Sequence, residues 1–265
     1  MELDFTQKKY SRLMTAFINQ GYHFFTFEDY CNQMGSMKDC DRVIILRHDV
    51  DLKARNSHDI AKIEHSLGIR ASYYFRIVEQ SNKPEIIKAI AAMGHEIGYH
   101  YEDMTICEGQ AEKAIVHFEQ WLSYFRQYYP VKTICMHGSP RSRFDSRDLW
   151  KMYDYHDYGI IGEPYFDMDF SKFFYLTDTG RRWDGFAVSV RDKIPVYQEI
   201  WSSKGWTYHE TYEIIEAIER RDFPKQLMMT THPQRWAGGF VSWSVELAMQ
   251  NAKNVVKKRI IKKHI

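Results

Sequence analysis

Two aspartates, Asp49 and Asp51, follow directly on an apolar run in the string Val43-Ile44-Ile45-Leu46-Arg47-His48-Asp49-Val50-Asp51. Four consecutive apolar residues, three of them β-branched, read as a buried strand. The polar cluster then falls at the C-terminal end of that strand, where α/β barrels carry their chemistry. Side chains alternate along a strand, so Asp49 and Asp51 share one face while His48 and Val50 take the other. Two neighbouring carboxylates repel unless a cation or a shared proton separates them. A metal meets that need, with one carboxylate as ligand and the other free as a base. The plainer reading is a solvated loop with an ordinary charge cluster.

Polar residues recur at the ends of other strand-like runs. His100 ends Glu96-Ile97-Gly98-Tyr99, His137 ends Ile134-Cys135-Met136, Asp178 ends Phe174-Tyr175-Leu176-Thr177, and His232 ends Leu227-Met228-Met229-Thr230-Thr231. One such histidine is more often structural. Five strand ends supplying Asp or His describe a catalytic rim. His95-Glu96 followed by His100 is not the zinc-protease H-E-x-x-H, because Tyr99 holds the place of the second histidine. Gly94 and Gly98 also argue against a helix there.

These residues need a frame. Helical spacing covers Thr6–Asn19, Ser57–Leu67, Pro84–Met93, Gly109–Tyr128 and Tyr208–Arg221. Strand-like runs fall at His23–Phe27, Val43–Leu46, Ala71–Phe75, Glu96–Tyr99, Thr133–Met136, Tyr158–Ile161, Phe173–Leu176 and Leu227–Thr230. Strand and helix alternating in units of about 25–30 residues predict an α/β fold with a mainly parallel sheet, a distorted (β/α) barrel in a single domain over residues 1–265. The stretch from Pro140 to Tyr197 is irregular and aromatic-rich, as loops that shape a site are.

Composition narrows the class. A net charge of +1 implies no general affinity for nucleic acid. No apolar stretch reaches the ~20 residues of a membrane span, and the N-terminus lacks the pattern of a signal peptide. Cys31, Cys40, Cys107 and Cys135 form no C-x-x-C pair and read as reduced thiols, so a cytoplasmic protein is expected. Six cations between Lys253 and Lys263 surround Val255, Val256, Ile260 and Ile261. That segment reads as a solvated terminal helix, or as one that makes weak contact with an anionic membrane surface.

The motifs resemble those of the NodB-type polysaccharide deacetylases, carbohydrate esterases built on a (β/α) barrel. Arg47 to Asp51 looks like the D-x-D form of their first motif, and Gly94 to His100 is similar to the G-H-E-I-G-x-H strand of their second. Ser139-Pro140, Asp178 with Trp183, and His232 fall where the third, fourth and fifth motifs would lie. The resemblance spans roughly Val43 to Trp236. It implies Asp49 as base, Asp51 and His100 as ligands of a divalent metal, zinc by family habit, and His232 as the acid for the leaving amine. Asp178 would orient His232 or a catalytic arginine. The family's third ligand lies four residues after the first histidine, but Met104 stands there and is a poor zinc ligand. His137, at the neighbouring strand end, is the first candidate to replace it, and Glu102 the second. The third-motif arginine is also missing, leaving Arg47, Arg141 or Arg143 to substitute. Tyr101, Trp183 and Trp236 are candidates for stacking on a sugar ring, or for wall packing.

The function implied is metal-dependent removal of an N-acyl group, N-acetyl above all, from a sugar or sugar conjugate in surface-polysaccharide assembly. Two alternatives stand beside it. One is a metal-free hydrolase of a cyclic amide, supported by Met104. The other is an inactive carbohydrate-binding barrel.

Overall fold

The computed structural model describes residues 3–33, 41–139, 142–184 and 193–263, with side chains described as far as residue 254. At its centre is β2 (Val43–Val50), buried at every position. It pairs β1 (His23–Phe25) along its first half, β3 (Ser72–Phe75) along its second, and β7 (Gln226–Thr231) on its other side. The sheet continues outward to β4 (Glu96–Tyr101), β5 (Ile134–Met136) and β6 (Phe174–Thr177), in the order β5-β4-β3-β2-β7-β6 with β1 off this path, and every pairing is parallel. No ladder joins β5 to β6 among the described residues, so the sheet curls into a barrel that stays open on that side.

Helices cover the outside, as the spacing predicts. Thr6 caps α1 (Gln7–Asn19) by accepting from the Lys9 amide, which removes one unmet donor of the first turn. The expected helices appear as α3 (Ala54–Ser66), α4 (Pro84–Ala92), α6 (Ala111–Phe125) and α9 (Thr211–Glu219), while α2 (Phe27–Gln33), α5 (Asp103–Ile106), α7 (Pro164–Asp167) and α8 (Pro195–Ser203) carry too little periodicity to be foreseen. The basic terminal segment belongs to a longer helix, α10 (Phe240–Lys263). Among the described residues no helix is long and apolar enough to cross a membrane.

One expected strand is absent. Tyr155–Tyr158 is a 3₁₀ turn, capped by Asp154 and ended by Gly159 in the left-handed region. That leaves only a bridge from Gly162 to Thr133 on the open side of the barrel. The turn consumes the residues a strand would need.

Parallel register decides what the barrel interior contains. Arg47 stands level with Ser72 on β3 and Thr230 on β7, and Ser72 stands level with Glu96 on β4. Residues level in register point to the same face, so the interior is unusually polar. Gly98 leaves room for the ring of Tyr74: a Cβ there would come within 2.3 Å of it. The opposite face of β2 presents His48, whose Nδ1 meets Thr231 Oγ1 and whose Nε2 meets Glu64 Oε1, both at 2.7 Å.

The open side is stitched by Glu163, which is fully buried. It accepts from the Met136 amide on β5 at 3.0 Å and caps α7 through the Tyr165 amide at 2.6 Å. Burial pushes its carboxyl up to about 7, against the pull of those amides and of Arg47 and Arg147. The folded chain therefore keeps a proton that the unfolded chain loses near 4.5, and stability falls as pH rises through that window. Glu163→Gln stays neutral throughout. Melting curves from about pH 5 to 8 should show the wild type losing stability relative to Glu163→Gln; parallel curves would mean Glu163 is already ionised in the fold.

Candidate active site

The C-terminal ends of β2, β4, β5, β6 and β7 converge on Asp51. This residue lies one past β2, where its amide bonds the Asp49 carbonyl and turns the chain. Three histidines surround it through the same ring atom. His100 Nε2 lies 3.7 Å and His137 Nε2 3.3 Å from Asp51 Oδ1, and His232 Nε2 lies 4.0 Å from Oδ2. In His100 and His137 the other nitrogen faces a group that can only accept. His100 Nδ1 donates to the Cys135 carbonyl and His137 Nδ1 to Glu102, both at 2.9 Å. A nitrogen that faces only an acceptor carries the proton, so Nε2 of these two rings is left with its lone pair toward Asp51. His232 Nδ1 lies between Asp178 Oδ1 at 2.6 Å and the Arg235 guanidinium at 2.7 Å, an acceptor and a donor. Burial pushes His100 down to about 4, keeping it neutral.

Charge is distributed unevenly among the carboxylates here. Asp49 is bound in a fork by Arg47 (2.8 and 2.6 Å), Glu102 by Arg76 (2.7 to 2.9 Å), and Asp178 by Arg235 (2.7 Å). Among the described residues Asp51 has no arginine in contact; its Oδ2 accepts from Gln234 Nε2 at 3.2 Å, and its Oδ1 is buried with no hydrogen-bond partner. Burial alone would raise its pKa, yet His137, His232 and His100 bring it down to about 2. A carboxylate with one bare oxygen faced by imidazole nitrogens has the donors that a cation needs.

The donor set fits a divalent metal. Asp51, His100 and His137 each offer one atom, and all three lie within 4.8 Å of one another. Ligands about 2.0–2.1 Å from a tetrahedral zinc stand roughly 3.4 Å apart, close to the 3.3 and 3.7 Å found around Asp51 Oδ1. A second group, Asp49, His100 and Cys135, is equally compact. It would have to use the same His100 Nε2, and both Asp49 oxygens already carry a guanidinium, which repels a cation. The Asp51 group is the better site.

Asp49, Asp51, His100, His137, Asp178 and His232 are brought together. Glu102 stands behind His137 as its hydrogen-bond acceptor and not in the donor set. Met104 lies in α5, buried in the hydrophobic core. Of the arginines considered, Arg47 takes Asp49, Arg143 stacks over the Phe144 ring, and Arg141 lies outside the described residues, as does Pro140. Ser139 is half-buried.

Of the two readings of Tyr101, Trp183 and Trp236, burial of all three favours wall packing over sugar stacking. Tyr101 packs edge-on to Phe118 and Trp150. Trp183 lies between Phe5 and Trp236 and donates to Thr211. Trp236 is fully buried and donates from Nε1 to Asp178 Oδ2 at 2.9 Å. They are wall and support. Sequence reasoning missed Gln234 and Arg235, although the unbroken string His232-Pro233-Gln234-Arg235-Trp236 after a strand end was a visible signal.

No family model matches the chain, and no curated protein sequence does. Among solved structures it is similar to the Streptococcus pyogenes deacetylase PplD in complex with acetate. Identity there is 10%, over 57% of this chain and 71% of that one, with a TM-score of 0.46. It is also similar to BA3943, a CE4 family pseudoenzyme from Bacillus anthracis. There identity is 11%, over 83% of this chain and 63% of that one, with a TM-score of 0.45. These are likenesses of chain path, and the chemistry has to come from the site itself.

The geometry ranks the metal-site residues. His137→Ala removes a donor and should weaken zinc binding by orders of magnitude in a chelator competition. Glu102→Ala removes the acceptor that fixes His137, a change that usually costs about 10–100-fold in affinity. Equal zinc affinity in wild type and His137→Ala would remove His137 from the site.

Proposed function

We propose that the chain is a metal-dependent hydrolase that removes an N-acyl group, N-acetyl foremost, from a sugar or sugar conjugate. One observation carries this reading. Among the described residues Asp51 is the carboxylate in the cluster without a guanidinium, and the Nε2 atoms of His100 and His137 face its bare oxygen. The sugar class rests on the resemblance of the Arg47–Asp51 and Gly94–His100 strings to the deacetylase motifs. Zinc is the metal we assign, from the mixed imidazole and carboxylate donors.

Asp51, His100 and His137 would hold the metal, which when bound supplies an acidified water and a Lewis acid for the acyl oxygen. Asp49 faces the same space, its Oδ2 lying 3.8 Å from His100 Nε2. Burial opposes its ionisation, but Arg47, His100 and His232 outweigh burial and hold the carboxyl well below the usual range. Asp49 is thus favoured as the ionised acceptor of the pair. His232 Nε2 lies 4.0 Å from Asp51 Oδ2. Asp178 holds its backbone amide and Nδ1, and fixes the ring with Nε2 toward the site. With a proton on Nε2, His232 would protonate the amine as the C–N bond breaks.

The Arg47 pairing sharpens the test of the base. Asp49→Asn removes the acceptor, and loss of a general base costs on the order of 10²–10⁴ in rate. It also leaves Arg47 buried with half its partner, a change that costs about 3–5 kcal/mol when a buried pair is broken. The double variant Arg47→Met/Asp49→Asn removes both charges. We expect it to regain melting temperature over Asp49→Asn while acetate release from an N-acetylhexosamine conjugate stays lost. Full activity in either variant would sink the mechanism.

A further inference from the structure

Gln234 contacts the proposed metal site but belongs to none of the roles above. It lies on a one-turn 3₁₀ helix, Pro233–Arg235, immediately after β7. Both sides of that turn are fixed. The His232 amide bonds Asp178, and the Arg235 and Trp236 side chains reach back to the same carboxylate. Proline at the first position sets φ for the turn. The Gln234 backbone is therefore held before any ligand arrives.

Its side chain is 6% exposed and has two unlike ends. Nε2 stands 3.2 Å from Asp51 Oδ2. The reverse orientation would set the amide oxygen against a carboxylate oxygen, so the NH₂ faces Asp51. The other end, Oε1, is buried without a hydrogen-bond partner. A glutamine kept only for stability uses both ends, since an unmet buried acceptor is costly. Here one end is committed to the carboxylate and the other is buried without a partner, about two ångströms from the first by the amide's own geometry.

The effect on Asp51 follows from its torsions. The terminal torsion of an aspartate is broad and roughly two-fold, so packing alone fixes its plane poorly. Among the described residues no arginine contacts Asp51, unlike Asp49, Glu102 and Asp178. Anchoring Oδ2 through Nε2 turns the bare Oδ1 toward His100 and His137, at 3.7 and 3.3 Å.

We propose that Gln234 is a positioning residue of the metal site: it orients Asp51 through Nε2 and keeps Oε1 as an acceptor for a hydrogen of the bound ligand. This rests on the metal-site reading above.

The test measures metal and not turnover. Zinc affinity by chelator competition and the visible cobalt(II) spectrum are recorded for wild type, Gln234→Met and Gln234→Asn. Met keeps the length without the donor; Asn keeps the amide one methylene short of Asp51 and guards against a folding failure of the apolar variant. Loss of an outer-shell partner predicts zinc binding weaker by about 10–100-fold, with shifted cobalt bands and an unchanged melting temperature. Zinc affinity within about twofold of wild type in a folded variant, with the same cobalt spectrum, overturns the proposal and leaves the metal site standing. Wild type that binds neither metal overturns the metal-site reading and this inference with it.

Discussion

Four carboxylates at one end of a sheet cannot all stay ionised in a buried setting without matched charge, and this site is organised by how that charge is supplied. Arginines neutralise three of them, from β2 (Arg47), from the chain after β3 (Arg76) and from the turn after β7 (Arg235). The fourth, Asp51, has imidazoles and an amide instead. A guanidinium and a metal ion compete for the same lone pairs, so the carboxylate without an arginine is where a cation gains most. Asp49 and Asp51 share a strand face yet differ in chemistry because Arg47, two residues back on that face, reaches only the first.

The same economy appears in the histidines. Each of the three aims Nε2 at Asp51 because its Nδ1 is committed elsewhere: to a strand carbonyl, to Glu102 and to Asp178. Those partners set the ring planes, and for His100 and His137 the tautomer too, before any metal or substrate binds, which is the form of preorganisation that metal sites and acid–base groups require. Behind β2 a second buried network does the scaffolding. Glu64 accepts from Tyr10, from Tyr73 at 2.5 Å and from His48, joining α1, α3, β2 and β3 around one carboxylate. Burial alone would keep Glu64 protonated; His48 and His95 hold its pKa below the ordinary value. The strand that carries the site is thus clamped from its far face by charge as well as by apolar packing.

The period-2 pattern and the strand ends were legible in the chain itself. Alternation along Val43–Asp51 separated Asp49 and Asp51 from His48, and the structure keeps that division. Polar residues after apolar runs marked His100, His137, Asp178 and His232, and helical spacing marked α1, α3, α4, α6 and α9. These signals are local, because the covalent period of a helix or strand fixes which residues share a face. The Tyr158–Ile161 run misled for a local reason too: a capped turn and a left-handed glycine outweighed its apolar content.

Burial and partner choice were not legible, since both depend on residues far apart in sequence. Trp183, Trp236 and Tyr101 are aromatic and near the motifs, which suits sugar stacking equally well on paper; only packing against Phe5, Phe118 and Trp150 covers their faces. Whether His137 or Glu102 faces the site turned on Arg76, 26 residues before Glu102, claiming that carboxylate. The sequence by itself determined which residues stand at the barrel mouth. Tertiary structure decided which carboxylate each arginine neutralises, and therefore which one is left for a cation, because that choice depends on distances no periodicity encodes.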